Sequence, residues 1–334
     1  PNRPITSRVR YQLRHFGNAG VQNPNGLIMA GLSSLQKYSL ARLATMKITM
    51  TGALGRIGKV TTQLLVDRGH EVVAVDIADG PVPAGIKLHV GDLTDLDFAD
   101  KVVAGSDAVI HMAGIPSPRD ERQYNVYKNN VNSTFAIFSA AANAKCRVVA
   151  YASSCSAYGQ AWSDEWSSPL YAPMTEPHPL MCTESYSLCK EANEQAALMW
   201  SKRSDTTFVG FRFPYTNNMA DLEDFAIKFN HHDAELAKTA AKIGWAYLDA
   251  RDAAAALELT VRSDLKGAQV FNLMAPDTMA IETTDKLLAK YHPTTELRGD
   301  FSGYQSIFSS DHWLEVMGYK PQHLFDREKI RNAK

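Results

Sequence analysis

Between residues 47 and 213 the chain alternates two hydrophobic rhythms. Short, nearly continuous apolar runs at 47–51 (KITMT), 71–76 (EVVAVD), 86–90, 107–111 (DAVIH), 147–152 (RVVAYA) and 207–213 read as strands. The segment 56–68 places Ile57, Val60, Leu64 and Leu65 at helical spacing, and 124–142 and 183–203 also read as helices. Near-continuous apolar runs suit strands covered on both faces. Strands alternating with helices imply right-handed crossovers and a parallel sheet. The expected fold is therefore α/β, a Rossmann-type doubly wound parallel sheet. After Phe213 the pattern is less regular, so residues 46–213 are expected to form mainly the sheet and 214–334 mainly a small C-terminal lobe over the strand ends. Ligands of such sheets bind at the carboxyl ends of the strands.

Composition narrows the class. Hydrophobic residues make up 45% and charged residues 21%, which excludes a disordered chain, a collagen and a disulfide scaffold. The net charge of -1 argues against a nucleic-acid partner. That figure joins two unlike parts. Residues 1–45 carry six basic residues and no acid, and the remainder has 29 basic and 36 acidic residues. The expected working start is Met46, with 1–45 a disordered leader or translated upstream sequence; an Arg- and Ser-containing, acid-free leader also has the character of a mitochondrial transit peptide. The run 26–35 (GLIMAGLSSL) is too short for a membrane span. Cys146, Cys155, Cys182 and Cys189 form no C-x-x-C pair, and no metal site is expected. A cytoplasmic location follows, or a mitochondrial one if the leader is a transit peptide.

The first strand runs into TGALGRIG, where Gly52, Gly55 and Gly58 open the first helix. Glycines there let backbone approach a pyrophosphate, and helix N-terminal N–H groups meet the anion. Leu54, Arg56 and Ile57 complete this candidate cofactor-binding segment. Asp76 ends the second strand, where a carboxylate hydrogen-bonds both ribose hydroxyls of NAD and repels a 2′-phosphate. Ile77 follows it, and no Arg sits beside it, so NAD is expected rather than NADP. Asp92-Leu93 after the third strand is placed to meet the adenine, and Ala113-Gly114 after the fourth forms a small-residue turn near the cofactor.

Tyr186 and Lys190 stand four apart on a predicted helix, hence on one face. A tyrosine titrates near pH ~10, and a neighbouring ammonium makes it a usable acid/base. Ser153-Ser154 ends the fifth strand and offers a hydroxyl to the reacting oxygen. With TGALGRIG, Asp76, GDL (91–93), HMAG (111–114), NVNST (130–134), SSCSAYG (153–159), YSLCK (186–190), FRFP (211–214), YLDARDAA (247–254) and MGYKP (317–321), the chain resembles an extended short-chain dehydrogenase/reductase of the NAD-dependent epimerase/dehydratase family over residues 47–330.

The resemblance implies hydride transfer between a sugar-like carbinol carbon and nicotinamide. Ser154 aligns with the family's catalytic Ser/Thr, with Ser153 the alternative. Tyr186 would be the acid/base, and Lys190 would lower its pKa and bind the nicotinamide ribose. Asn130 aligns with a helix Asn that supports the site. Ser154-Cys155-Ser156 replaces the Thr-Asp-Glu run of the family's sugar dehydratases, so dehydration is disfavoured. A sugar nucleotide 4-epimerase, a uronate or sugar dehydrogenase, and a non-catalytic NAD-binding regulator stay open. Candidate substrate contacts are Ser154, Cys155, Arg212 and Arg298, the two arginines for a diphosphate or carboxylate. Trp162, Trp166, Tyr171 and Tyr215 are candidates to line a sugar pocket, and the long loop 160–182 to cover it. Family members commonly form homodimers through the two long helices, here 124–142 and 184–203.

Overall fold

The computed structural model describes residues 45–119 and 122–333. The leader expected over residues 1–45 lies, Thr45 apart, outside the described residues.

Seven parallel strands form the central sheet: β1 Lys47–Thr51, β2 Glu71–Asp76, β3 Leu88–Val90, β4 Ala108–His111, β5 Val148–Ser154, β6 Thr207–Phe213 and β7 Ala268–Asn272. Their spatial order is β7-β6-β5-β4-β1-β2-β3. The chain winds outward from β1 to β3, then returns to the other side of β1 as β4. The direction thus reverses between β1 and β4, which is where such sheets open a ligand crevice.

Strand period explains the layering. On β4, Ala108 and Ile110 face one core while Val109 faces the other. The first core holds Ile48, Met50, Ile110, Val209 and Phe211 against Leu65 of α1 (Arg56–Asp67) and Leu257 of α6 (Ala250–Val261). The second holds Val75, Val109, Val149, Tyr151 and Phe208. It is covered by α2 (Leu96–Val103), α3 (Gln123–Asn143) and α4 (Ser185–Ser201). Each fully buried Ile or Leu contributes about 1.5–3 kcal/mol.

The strand expected at 86–90 is shorter because Ile86 is still in a turn, its N–H bonded to Pro83 O. Helix α2 and strand β7 add to the elements expected from periodicity.

A third core gathers residues from beyond Phe213 with others from 155–174: Tyr158, Met174, Trp245, Tyr247, Phe301 and Phe308. Here Tyr215–Asn217 pairs with Tyr247–Asp249, which follows α5 (Ala234–Lys242) and leads into α6. The loop 160–182 is stitched to the C-terminal region, because Tyr171–Ala172 pairs in parallel with Glu296–Leu297. Met174 N–H also donates to Ile307 O at 2.7 Å. No helix among the described residues is long and apolar enough to cross a membrane.

Candidate active site

The glycine turn joins β1 to α1 at the crevice. Gly52 has φ +68°, and a Cβ there would lie 2.7 Å from Ala113 N. A Cβ on Gly58 would fall 1.8 Å from Gly52 O. The turn therefore closes only with glycine at both positions. Gly55 is the N-cap of α1, with no side chain capping the helix and no acid in its first turn. Its amino end thus keeps the N–H groups and partial positive charge that an anion uses.

Asp76 closes the other side. Its Oδ2 accepts from Leu54 N–H at 2.9 Å and its Oδ1 from Ala78 N–H at 3.2 Å. The carboxylate so ties the turn to the end of β2 while keeping lone pairs for a hydroxyl donor. Arg56 and Ile57 begin α1. Asp92 Oδ1 accepts from Thr94 N–H at 2.8 Å, and the Leu93 side chain is buried in the sheet core. Ala113 N–H donates to Thr51 Oγ1 at 3.3 Å. The group donors and acceptors here fit a dinucleotide: an uncapped helix start, a turn without side chains, and a carboxylate beside it.

Asn130 acts on the loop after β4. Its Oδ1 accepts from Ile115 N–H at 2.7 Å and its Nδ2 donates to Ile115 O at 2.9 Å. The amide is spent on protein backbone, and the Asn130 side chain lies under Gly114, 3.1 Å from where a Cβ would be. Below it, His111 is clasped between Thr51 Oγ1 at 2.8 Å and Thr134 Oγ1 at 3.1 Å.

Ser154, at the end of β5, accepts from Ser156 N–H at 3.1 Å and starts the single turn Cys155–Tyr158. Its hydroxyl donates to Ser156 Oγ at 3.1 Å and lies near enough to the Tyr186 phenol to favour the phenolate. Two contacts fix the start of α4, which carries Tyr186: Glu184 caps Ser187 N–H at 2.7 Å, and Gln123 Oε1 accepts from Ser185 N–H at 2.7 Å. Lys190 is buried, donates from Nζ to Ala152 O at 2.8 Å, and lies 5.3 Å from the centre of the Tyr186 ring. Burial pushes the Tyr186 phenol well up and the Lys190 ammonium down. In the chain alone, desolvation thus outweighs the lowering of the phenol expected from Lys190.

The structure brings Ser154, Tyr186 and Lys190 together and separates the substrate candidates. Ser153 is buried and donates to Glu194 Oε1 at 2.6 Å, so it does not replace Ser154. Arg212 is not free to hold a substrate anion. It is 5% exposed, and its guanidinium is spent on Glu194, Tyr158 OH and Glu176 O. Cys155 is packed in the third core, where burial pushes its thiol up to about 12. Arg298 is exposed; it pairs with Glu296 at 2.7 Å and stacks 3.7 Å over the Tyr171 ring. Tyr215 packs against Phe225, whereas Trp162 and Trp166 line one cavity together. Sequence reasoning did not single out Gln123, His111 or Glu194. Glu194 had a signal, since Tyr186, Lys190 and Glu194 repeat every four residues along one helix face.

Three comparisons bear on this geometry. Over 155 residues the chain is 32% identical to a UDP-glucose 4-epimerase of Streptomyces lividans, an alignment spanning 44% of this chain and 45% of that enzyme. A short-chain dehydrogenase/reductase superfamily protein from Agrobacterium tumefaciens, solved with bound NAD, shares the fold with a TM-score of 0.65 at 22% identity, covering 85% of this chain and 95% of that one. A mutated uronate dehydrogenase shares it with a TM-score of 0.60 at 18% identity, covering 86% of each chain. The family model for the NAD dependent epimerase/dehydratase family matches residues 48–273, more than half of the sequence, and the chain belongs to that family.

Proposed function

We propose that this chain is an NAD-dependent oxidoreductase/epimerase acting on the carbinol carbon of a sugar or sugar nucleotide, with Ser154, Tyr186 and Lys190 as its active residues. One observation carries the reading: on a helix fixed by Glu184 and Gln123, Lys190 lies 5.3 Å from the centre of the Tyr186 ring and is tied to Ala152 O on the strand that ends at Ser154. Gly52, Gly55, Gly58 and the first turn of α1 would hold the pyrophosphate, with Asp92, Leu93, Ala113 and Gly114 near the cofactor. Asp76 would take the adenosine ribose, which supports NAD over NADP because its carboxylate repels a 2′-phosphate. NAD supplies the hydride acceptor and a positive ring when bound. Lys190 would hold the nicotinamide ribose and stabilise the phenolate as it develops. Tyr186 takes or returns the proton of the substrate hydroxyl while Ser154 Oγ orients that oxygen.

A second reading, a uronate or sugar dehydrogenase releasing NADH, stays beside it, because the alignment with the curated epimerase spans less than half of either chain and a uronate dehydrogenase shares the fold. We also propose that residues 46–213 serve mainly the cofactor and 214–334 mainly the substrate, and that two copies pair through α3 and α4. All four cysteines are free thiols, which supports a reducing compartment such as the cytoplasm.

The test is purified protein with NAD and a panel of sugar nucleotides and sugar acids, followed at the NADH absorbance and by product analysis. Isomerised sugar nucleotide without net NADH identifies an epimerase, and NADH release with a sugar acid a dehydrogenase. Neither, across the panel, leaves a non-catalytic NAD-binding regulator. Tyr186→Phe is expected to lower kcat by about 10²–10⁴ with NAD affinity almost unchanged. Unaltered turnover in that variant overturns the assignment.

A further inference from the structure

A buried run of hydrogen bonds joins the glycine turn to the helix that carries Tyr186 and Lys190. It starts at Thr51, the residue before Gly52, whose Oγ1 meets His111 Nδ1 at 2.8 Å and accepts from Ala113 N–H at 3.3 Å. The other ring nitrogen, Nε2, meets Thr134 Oγ1 of α3 at 3.1 Å. Thr134 Oγ1 in turn accepts from Asn193 Nδ2 of α4 at 3.0 Å, and the same amide donates to Asn130 O at 3.4 Å. Four side chains thus connect β1, β4, α3 and α4.

Thr51, His111, Thr134 and Asn193 are each at most 3% exposed, so bulk water does not compete for these bonds. The protons fit as well. Each threonine oxygen accepts one N–H and keeps one proton of its own, and a neutral imidazole offers one N–H and one lone pair. One threonine therefore donates to the ring, and the ring donates to the other.

Asn193 stands three residues beyond Lys190 and seven beyond Tyr186, on one face of α4. Other bonds of that helix lead elsewhere. Lys190 reaches Ala152 O on β5, Glu194 reaches Ser153 and Arg212, and Ser185 N–H reaches Gln123 on α3. Among the described residues, the link through Asn193 is the one that ends on β1, where the glycine turn begins. A misplacement of about 1 Å at a reacting group costs about a hundredfold in rate, so whatever fixes α4 against the turn bears on turnover.

We infer that Thr134 and Asn193, acting through His111, are positioning residues that set the Tyr186–Lys190 helix against the glycine turn, so that NAD seated on the turn is felt at α4. The inference rests on the proposed roles of the turn, Tyr186 and Lys190, and assigns these three residues no contact with substrate.

The experiment is hydrogen–deuterium exchange of the full chain with and without NADH, read on peptides covering the glycine turn and α4. NADH affinity is taken by fluorescence titration, and kcat and KM with any sugar that the panel above identifies. Thr134→Val removes the bridging hydroxyl, Thr134→Ser keeps it, and Asn193→Leu removes the amide at the far end. In the wild-type chain NADH is expected to slow exchange in both the turn and α4. Thr134→Val and Asn193→Leu are expected to bind NADH within about threefold of wild type, to lose at least half of the slowing at α4, and to lower kcat by about 10- to 100-fold with KM for NAD little changed. Thr134→Ser is expected to match the wild type. Should the polar groups stranded by Thr134→Val cost the fold, Asn193→Leu carries the same test.

Slowing at α4 that is absent in the wild type, or undiminished in both Thr134→Val and Asn193→Leu, overturns the inference. So does a wild-type kcat in both, or a tenfold loss of NADH affinity in both, which would make the chain of bonds a support of the turn alone. Linked slowing in a chain that turns over no sugar removes the sugar reading and leaves the link standing. A chain that binds no NADH removes the cofactor reading and this inference with it.

Discussion

Glu194 and Arg212 form a two-pronged ion pair beneath the strand end that carries Ser154. Arg212 Nε lies 2.9 Å from Glu194 Oε1 and Nη2 lies 2.7 Å from Oε2, with the two side chains 6% and 8% exposed. Glu194 also holds Ser153, and Arg212 also holds Tyr158 and Glu176 O. The pair thus joins α4, β5, β6 and the loop 160–182 at one buried point.

Breaking this pair on one side leaves a charge buried without its partner. Glu194→Gln and Arg212→Met are each expected to cost about 3–5 kcal/mol, read as a fall in the midpoint of denaturant unfolding. The double variant Glu194→Met/Arg212→Met is expected to recover part of that loss, since the cost lies in the orphaned charge. Losses that simply add would refute the coupling.

Gly58 and Gly105 make a controlled contrast. A Cβ at Gly58 meets Gly52 O at 1.8 Å, whereas one at Gly105 meets nothing within 4 Å, and only its φ of +71° resists substitution. Gly105→Ala is expected to cost about 1–2 kcal/mol and leave NAD affinity unchanged. Gly58→Ala forces the backbone of the turn apart, so it is expected to lose NAD affinity by tenfold or more as well as stability. Equal NAD affinity in the two variants, by fluorescence titration with NADH, would separate the turn from the cofactor.

The sheet and the glycine turn were legible because each is written locally. Apolar runs such as DAVIH and RVVAYA carry their own period, and the glycine positions follow from spacing along a few residues. β7 was not, because its burial is partial over Ala268, Gln269 and Val270 and its partner β6 supplies the pattern. Arg212 shows the same limit at the site. Its residue type suits an anion contact, and only the fold reveals that Glu194, on another element, already occupies it. Cys155 likewise lies beside Ser154 in sequence but packs into the third core.

Acid should destabilise the fold through His111. Buried between Thr51 and Thr134, its imidazole is held down to about 3, from an ordinary value of 6.5, by desolvation first and by the Lys190 charge second. The unfolded chain takes this proton below pH 6.5, and the folded chain does not until about pH 3. Stability from this group is therefore complete above pH 6.5 and falls as pH drops from 6.5 towards 3, by about 1.4 kcal/mol per pH unit. His70, His89, His178 and His292 are shifted down as well and steepen the same slope. His111→Gln is expected to reduce the slope of unfolding free energy between pH 6 and 4 by about one proton. An unchanged slope would show that His111 is protonated in the folded chain.

The outer face of α3 and α4 should pair two copies of the chain. Tyr124 and Tyr127 begin the exposed apolar line on α3, and Phe135 continues it at 43% exposure; Leu188 and Leu198 continue it on α4 at 46% and 42%. The two helices pack against each other, with the Phe135 and Trp200 rings 5.7 Å apart, so both present exposed apolar side chains beside a shared contact. Apolar surface of this kind facing water is unfavourable in proportion to its area, and a second copy related by a two-fold axis covers it with the same surface. Sedimentation velocity at micromolar protein is expected to give twice the chain mass of 36.8 kDa. Phe135→Glu with Leu188→Glu is expected to give the single mass with an unchanged far-UV circular dichroism spectrum, because both side chains are exposed within the chain. A wild-type chain that sediments as a monomer across that range would remove the pairing, and a dimer that survives the double charge substitution would place the interface elsewhere.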